Sequence, residues 1–456
     1  MNRLVESNLN TWLKVTGRKP LVVRGARQVG KTWLIRKLAS QHNMELIEFN
    51  FERDPTARRF FESNDPLDII DDISVARNQT IIPEKSLLFL DEIQAAGDLL
   101  AKLRWFAEEM PQLAVVAAGS LLEFTLEEHD FSMPVGRIQY LHIEPMGFRE
   151  FLMAHKQNKI LQKFADWTVD QVFSPILHEQ ALLWFRRYLM VGGMPEVVQS
   201  DVTNRDDTLC RDMQLGLLAT YRADFSKYSK RFPTHVLDAT LRAVSRSLGR
   251  KFVYARVQEG VKQYQAKTAL ELLSLAKVCH LVQYSAANGL PLGGEIKKTF
   301  RKVIFNDIGL MHASLGSPGE RRFAKWEQIA PQVRGQMAEQ VVGQLLRLLG
   351  PLSGDGPQLY YWQREGGRPG EIDYLLQSQG RILPIELKSG ATGSMKSLHQ
   401  FMFDKNLDVA LRFDQNPPTR FDVSVKTTQG NPVSYRLYSF PWYYVEFCDW
   451  ERLESP

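Results

Sequence analysis

The sequence predicts an α/β fold: a parallel, phosphate-binding sheet first, then a helix-rich middle, then a second strand-rich α/β segment. Three observations carry this. Gly25-Ala26-Arg27-Gln28-Val29-Gly30-Lys31-Thr32 fits the phosphate-cradling pattern G-x-x-x-x-G-K-[ST] at every defined position. Ser86-Leu87-Leu88-Phe89-Leu90-Asp91-Glu92 is an apolar run ending in two carboxylates, as a buried parallel strand does at a ligand site. Finally, five apolar runs alternate with helical patterns over about the first 200 residues, the signature of a parallel sheet with covered faces.

The runs are Leu21–Val23, Glu45–Phe49, Leu87–Leu90, Leu113–Ala118 and Tyr140–Ile143. The first feeds the glycine loop, and the helix from Thr32 leaves it with its positive end at the phosphates. The glycines let backbone N–H groups turn inward. The whole loop, Gly25 to Thr32 with Ala26, Arg27, Gln28 and Val29, is therefore the expected ATP cradle. Lys31 supplies charge to the β/γ-phosphates and Thr32 a hydroxyl to Mg²⁺. Asp91 is expected to hold Mg²⁺, and Glu92 to polarise the attacking water. Ser120, after the fourth run, could reach the γ-phosphate or simply end a strand. Arg137, just before the fifth, could reach a neighbouring subunit's nucleotide or form a structural ion pair.

Composition is that of an ordinary globular protein, 44% hydrophobic and 24% charged, and 456 residues suggest about three domains. No apolar run approaches the ~18 residues that span a bilayer, and Met1–Glu6 lacks the apolar core of a secretory signal. Cys210, Cys279 and Cys448 are too scattered for a disulfide framework or a zinc site. A cytoplasmic protein without membrane partners is expected. The net charge of +5 is uneven: Arg211 to Lys302 holds 17 Lys/Arg against 6 Asp/Glu. That basic middle points to nucleic acid, DNA more than RNA, with solvated helix faces as the alternative.

In the middle, 265–278 reads as a packed helix, and 280–284 and 302–305 as two strands joined through Gly289, Pro291, Gly293 and Gly294. Helix then glycine-tipped hairpin is the layout of a winged helix, whose Lys262, Lys267, Lys297, Lys298 and Arg301 could touch phosphates. In the third segment, 337–349 is an amphipathic helix with Glu339 at the edge of its stripe. Three runs follow, separated by turns through Gly366, Gly367, Pro369 and Gly370, and through Gly380. Period two puts Glu386 and Lys388 on one face of the last run, and Asp373 can face them from its neighbour. Two carboxylates and an ammonium there could hold a second divalent metal, Mg²⁺ or Mn²⁺, with Glu339 completing the shell and Lys388 positioning water. A cross-strand salt bridge is the alternative. Trp362 and the Tyr360–Tyr361 pair read as core.

Taken in order, these motifs resemble bacterial and archaeal P-loop ATPases that join an AAA module to a winged helix and a C-terminal PD-(D/E)XK-type domain. The resemblance rests on G-A-R-Q-V-G-K-T, L-D-E-I-Q at Leu90–Gln94, Gly119–Ser120, Gly136–Arg137, P-M-G-F-R-E-F at Pro145–Phe151, G-G-M-P-E at Gly192–Glu196, E-I-D-Y-L and E-L-K-S-G. Ala26 stands where proline is common in such loops. The resemblance implies a P-loop AAA+-type core over 1–150, a helical lid over 151–230, a winged helix over 231–320 and a restriction-endonuclease-like α/β domain over 321–456. It also implies that Gly192–Pro195 lies near the nucleotide base. The functional expectation is an ATP-hydrolysing switch controlling a nucleic-acid-acting domain, a metal-dependent nuclease or a binder that does not cut, in a chain that could self-associate.

Overall fold

The computed structural model describes residues 1–120, 122, 124, 134, 136–228, 232–316, 331–354, 356–364, 366, 370–388 and 394–454, with the side chains of 228, 298–300, 331 and 332 outside that set. Gly367, Pro369 and the Lys298 side chain from the sequence analysis therefore lie outside the described residues.

The first sheet is five-stranded and parallel. Its strands are β1 (Leu21–Arg24), β2 (Glu45–Asn50), β3 (Ser86–Asp91), β4 (Ala114–Ala118) and β5 (Gln139–His142), in the order β2-β3-β4-β1-β5. All five coincide with the apolar runs. Alternation sorts their side chains onto two faces. Leu21, Val23, Leu87, Phe89, Val116 and Ala118 face the helices Glu6–Lys14 and Lys31–Gln41. Val22, Leu88, Leu90, Val115 and Ala117 face Pro66–Arg77 and Leu99–Glu109. The central strands β3 and β4 are buried throughout and read as unbroken apolar runs, while the edge strands β2 and β5 keep polar residues at partly exposed positions.

Helices Phe148–Ala154, Asn158–Asp166, Pro175–Val191, Pro195–Asn204 and Asp207–Ala223 follow. Their ends are marked chemically. Ser174 caps one helix by accepting from Leu177 N–H, and Asp206 caps another through Thr208 and Leu209 N–H. Gly192, at φ 75°, turns the chain where a Cβ would strike the Asp307 carboxylate.

The second sheet has eight strands in the order β12-β13-β11-β10-β9-β8-β6-β7. They are β6 (Cys279–Ser285), β7 (Ile296–Phe305), β8 (Leu359–Gln363), β9 (Glu371–Ser378), β10 (Arg381–Leu387), β11 (Val409–Asp414), β12 (Thr419–Lys426) and β13 (Pro432–Pro441). The three runs of the third segment are β8, β9 and β10, and they pair antiparallel in that order. The winged-helix reading meets a difference here. Helices Thr234–Arg246 and Gln263–Leu275 do precede the β6–β7 hairpin, yet the hairpin is no separate wing. One edge of β6 bonds to β7, and the other pairs in parallel with β8, Val282 opposite Leu359, so the division at 320/321 runs through a continuous sheet. A two-stranded ribbon leaves its outer backbone groups unpaired, and joining the larger sheet satisfies one such edge.

Helix Pro331–Leu349 packs across this sheet. Tyr361 and Trp362 are buried, as expected of core residues, while Tyr360 is only partly buried. No helix among the described residues is long and apolar enough to cross a membrane.

Candidate nucleotide site and C-terminal acidic cluster

The loop Gly25–Gly30 leaves β1 at the C-terminal edge of the parallel sheet, where such folds place their ligands. Gly25 has φ 147°, and a Cβ on it would lie 2.3 Å from the Ile143 carbonyl oxygen. Gly30 has φ 92°, so both pattern glycines hold conformations that side chains rarely adopt. Lys31 is buried, with Nζ donating to the carbonyls of Gly25 (2.9 Å) and Ala26 (2.8 Å), which folds the loop around the ammonium. Val29 is fully buried, and its carbonyl accepts from Arg3 Nη1 at 2.9 Å; Arg3 is itself buried against Glu150. Gln28 stands at φ 62°.

Thr32 Oγ1 lies 3.2 and 3.3 Å from the two Asp91 oxygens, so hydroxyl and carboxylate converge as the magnesium reading requires. Asn50, at the end of β2 and opposite Asp91, donates to the same carboxylate at 3.1 Å. Burial and then Glu92 raise the Asp91 pKa above the usual carboxylate range, against the bonds from Thr32 and Asn50. A cation beside Asp91 would relieve both causes, so the donor set fits a hard divalent ion. Glu92 takes a left-handed conformation at φ 50° immediately after β3. Its carboxylate accepts from Gln94 Nε2 at 2.6 Å. Gln94 also packs on Gly119, where a Cβ would lie 2.2 Å from Oε1. The buried Ser120 accepts from Arg27 Nε at 3.3 Å. Thus Lys31, Thr32, Asp91, Glu92 and Ser120 line one edge of the sheet.

Arg27 bridges that edge to the helical segment. Its guanidinium pairs with buried Asp224 at 2.8 Å, and Tyr221 Oη donates to its carbonyl at 3.3 Å. The helical segment therefore grips the loop directly. Pro195 is also close: its Cγ lies 3.8 Å from where a Cβ on Gly30 would be. Arg137 stands apart, half-exposed, with Nε donating to Glu108 at 2.7 Å; within one chain it is an ion pair on the surface. Asn50, Gln94, Arg3 and Asp224 were not foreseen. Asn50 had a local signal, a polar residue closing an apolar run, and Gln94 closes the L-D-E-I-Q motif.

The C-terminal constellation also assembles. The pairing that sets Ile385 opposite Tyr374 brings Glu386 beside Asp373. Lys388 Nζ bonds Glu386 Oε1, and Asp373 Oδ2 accepts Leu387 N–H at 2.8 Å. Glu386 is buried with Oε2 unpartnered; burial, then Asp373, push its carboxyl above the usual range. Among the described residues, however, the carboxylates near enough to share one cation are Glu339, Glu371 and Asp373, whose oxygens lie within 4.8 Å of one another. Glu371 was legible as the same face of β9 two residues before Asp373. Lys302 was not: it comes from β7, is buried, and puts Nζ 2.8 Å from Glu339 and 3.9 Å from Asp373, with Glu371 in direct contact.

The residues proposed for nucleic-acid contact divide. Lys262, Lys267 and Lys297 are exposed, with Tyr264 (64% exposed) between the first two. Arg301 is half-buried, 3.7 Å from Glu271.

Comparisons with known proteins cover most of the chain at the level of domains. Residues 17–152 match a family described as AAA domain. Residues 182–321 and 334–418 match two families described as domains of unknown function. An uncharacterized protein of Methanocaldococcus jannaschii, MJ1544, is 24% identical over 226 residues, 49% of this chain and 46% of its own length. The chain thus spans about half the length of this curated relative. Among solved structures, a Walker-type ATPase of Pyrococcus abyssi, PABY2304, aligns at 16% identity over 69% of this chain and 95% of its own, with a TM-score of 0.42. AMPPCP-bound DnaA from Aquifex aeolicus aligns at 14% identity over 60% and 88%, with a TM-score of 0.28. The family match and the geometry of Gly25–Thr32 together make residues 17–152 an AAA-type, P-loop ATPase-like domain.

Proposed function

We propose that the chain is a magnesium-dependent, ATP-binding and ATP-hydrolysing switch that controls a nucleic-acid-acting C-terminal domain. One observation carries it: Lys31, Thr32, Asp91 and Glu92 converge where β1 and β3 end. Gly25–Thr32 would hold the phosphates, and Thr32 and Asp91 the magnesium, which would neutralise charge on the transferring phosphoryl group. Glu92, fixed by Gln94, would orient and deprotonate the attacking water. The grip of Asp224 and Tyr221 on Arg27 supplies a mechanical route from phosphate occupancy to the helical segment. Exposed Lys262, Tyr264 and Lys267 at the start of helix Gln263–Leu275, with Lys297 on the hairpin, are the surface proposed to meet DNA. Arg137 would act on a neighbouring copy's nucleotide only in an assembly of copies.

Two readings of the C-terminal domain follow. The convergence of Asp373, Glu386 and Lys388 supports metal-dependent cleavage. The insertion of Lys302 among three carboxylates favours a domain that binds nucleic acid or protein without cutting.

Turnover of ATP by wild type and Glu92→Gln, with and without DNA over a salt series, tests the proposal. Glu92→Gln should still bind ATP and lose turnover about a hundredfold or more. DNA should alter wild-type turnover, and DNA affinity should fall steeply with salt. Normal turnover by Glu92→Gln would reject the assigned base. A flat salt response would redirect the partner assignment to protein.

A further inference from the structure

The second sheet holds an arrangement that the ATPase reading does not use. Lys302 is 3% exposed, an uncommon place for a lysine. Its ammonium has three donors, and three carboxylates stand around it: Glu339 from helix Pro331–Leu349, and Glu371 and Asp373 from β9. The Tyr361 ring lies beside it, its centroid 5.4 Å from Nζ.

The same three carboxylates form the group whose oxygens are close enough to share one ion. A hard divalent cation takes six or more oxygens at about 2.0–2.6 Å. Entering this group, it would have to displace the ammonium or sit against it at like charge. Asp373 Oδ2 is in addition committed to Leu387 N–H, and Glu386 Oε1 to Lys388. The residues as arranged therefore do not fit a divalent ion.

We propose that this acidic cluster is a cation site filled by the chain's own Lys302, whose ammonium replaces a divalent ion and ties β7 to β9 and to helix Pro331–Leu349. The tie adds a side-chain link to the backbone pairing that already joins the edge strand β7 to the sheet through β6. It also means that this sheet works without a metal, which selects the non-cutting reading of the domain. The inference does not rest on the ATPase reading, because the P-loop contributes no residue to the cluster.

The test is Mn²⁺ binding to the nucleotide-free full chain, followed by electron paramagnetic resonance. Wild type and Asp373→Asn should give the same binding curve up to millimolar Mn²⁺. Lys302→Met should gain one Mn²⁺ per chain, at least tenfold tighter than any wild-type binding, and Asp373→Asn added to it should remove that ion. Lys302→Arg, which keeps the charge, should gain nothing. A wild-type Mn²⁺ ion abolished by Asp373→Asn would overturn the proposal, and so would a folded Lys302→Met that gains no ion. If Lys302→Met does not fold, the comparison of wild type with Asp373→Asn still decides. Manganese held by the P-loop would be lost on changing Asp91, not Asp373, so failure of one site is distinguishable from failure of the other.

Discussion

Asp91 has to be ionised to hold magnesium, yet burial and neighbouring Glu92 both work against its charge. Thr32 and Asn50 are the protein groups that support it, and they come from different elements. Asn50 is thus a positioning residue. Groups that orient a metal ligand typically contribute one to two orders of magnitude in metal affinity. Asn50→Leu should therefore raise the magnesium concentration for half-maximal turnover about tenfold while leaving the fold intact, as magnesium titrations of the two proteins would show. An unchanged magnesium requirement would mean that Thr32 suffices. At this scale much was legible. The placement of Lys31 and Thr32 on a glycine-turned loop follows from residue type and spacing, because such a loop is local, and Asp91 is marked as the polar end of an apolar run. Lys302, Arg3 and Asp224 were not, because the groups that pair with them come from other elements far along the chain, and nothing around a lone lysine or aspartate reveals burial.

Helix Pro331–Leu349 is the element that joins the parts. Glu339 meets Lys302. Gln340 donates to the Phe305 carbonyl and accepts its N–H, both at 2.8 Å, as a neighbouring strand would. Gln344 accepts from Ile308 N–H and donates to Tyr188 Oη and to Asp307, whose carboxylate also receives Gly193 N–H. Arg347 pairs with Glu144 at the end of the first sheet and holds its carboxyl down at about 2 despite burial. One helix face thus ties β7, the Gly192–Pro195 turn and the ATPase-like domain together. Phe305 is fully buried, so Gln340→Leu would leave a backbone donor and acceptor without partners. The expected loss is roughly 2–4 kcal/mol, measured by denaturant unfolding; a loss below the error of that measurement would show that the strand edge finds water instead. The amphipathic stripe announced this helix. It could not announce polar anchors, since Gln340 and Gln344 sit where a solvated face was the simpler reading. For the same reason β6, β7 and β8 were each legible as strands but the pairing of β6 with β8 was not: about 75 residues separate the paired positions, and periodicity carries no information about pairing at that distance.

Across the whole molecule, buried histidines make stability depend on pH. His280 is buried between Asn306, to which Nε2–H donates at 2.9 Å, and Glu144, Arg347 and Lys277. Burial and then Arg347 lower its pKa from 6.5 to about 3, so it is neutral in the fold. The unfolded chain then binds the extra proton, and stability contributed by neutral His280 is lost as pH falls from about 6.5 towards 3. Between pH 7 and 5 this amounts to roughly 2 kcal/mol. Carboxyls with raised pKa values, such as buried Glu446 at about 7, work in the opposite sense over the same range. The informative quantity is therefore the difference between wild type and His280→Gln, whose stability should decline less on acidification. Parallel curves would contradict the assignment.

The central claim is that triphosphate binds at Gly25–Thr32. Calorimetric titration of magnesium-ATP into wild type and into Lys31→Ala tests it most directly. The account predicts one ATP per chain in wild type and at least tenfold weaker binding in Lys31→Ala. No uptake by folded wild type, or equal uptake by both proteins, would contradict it.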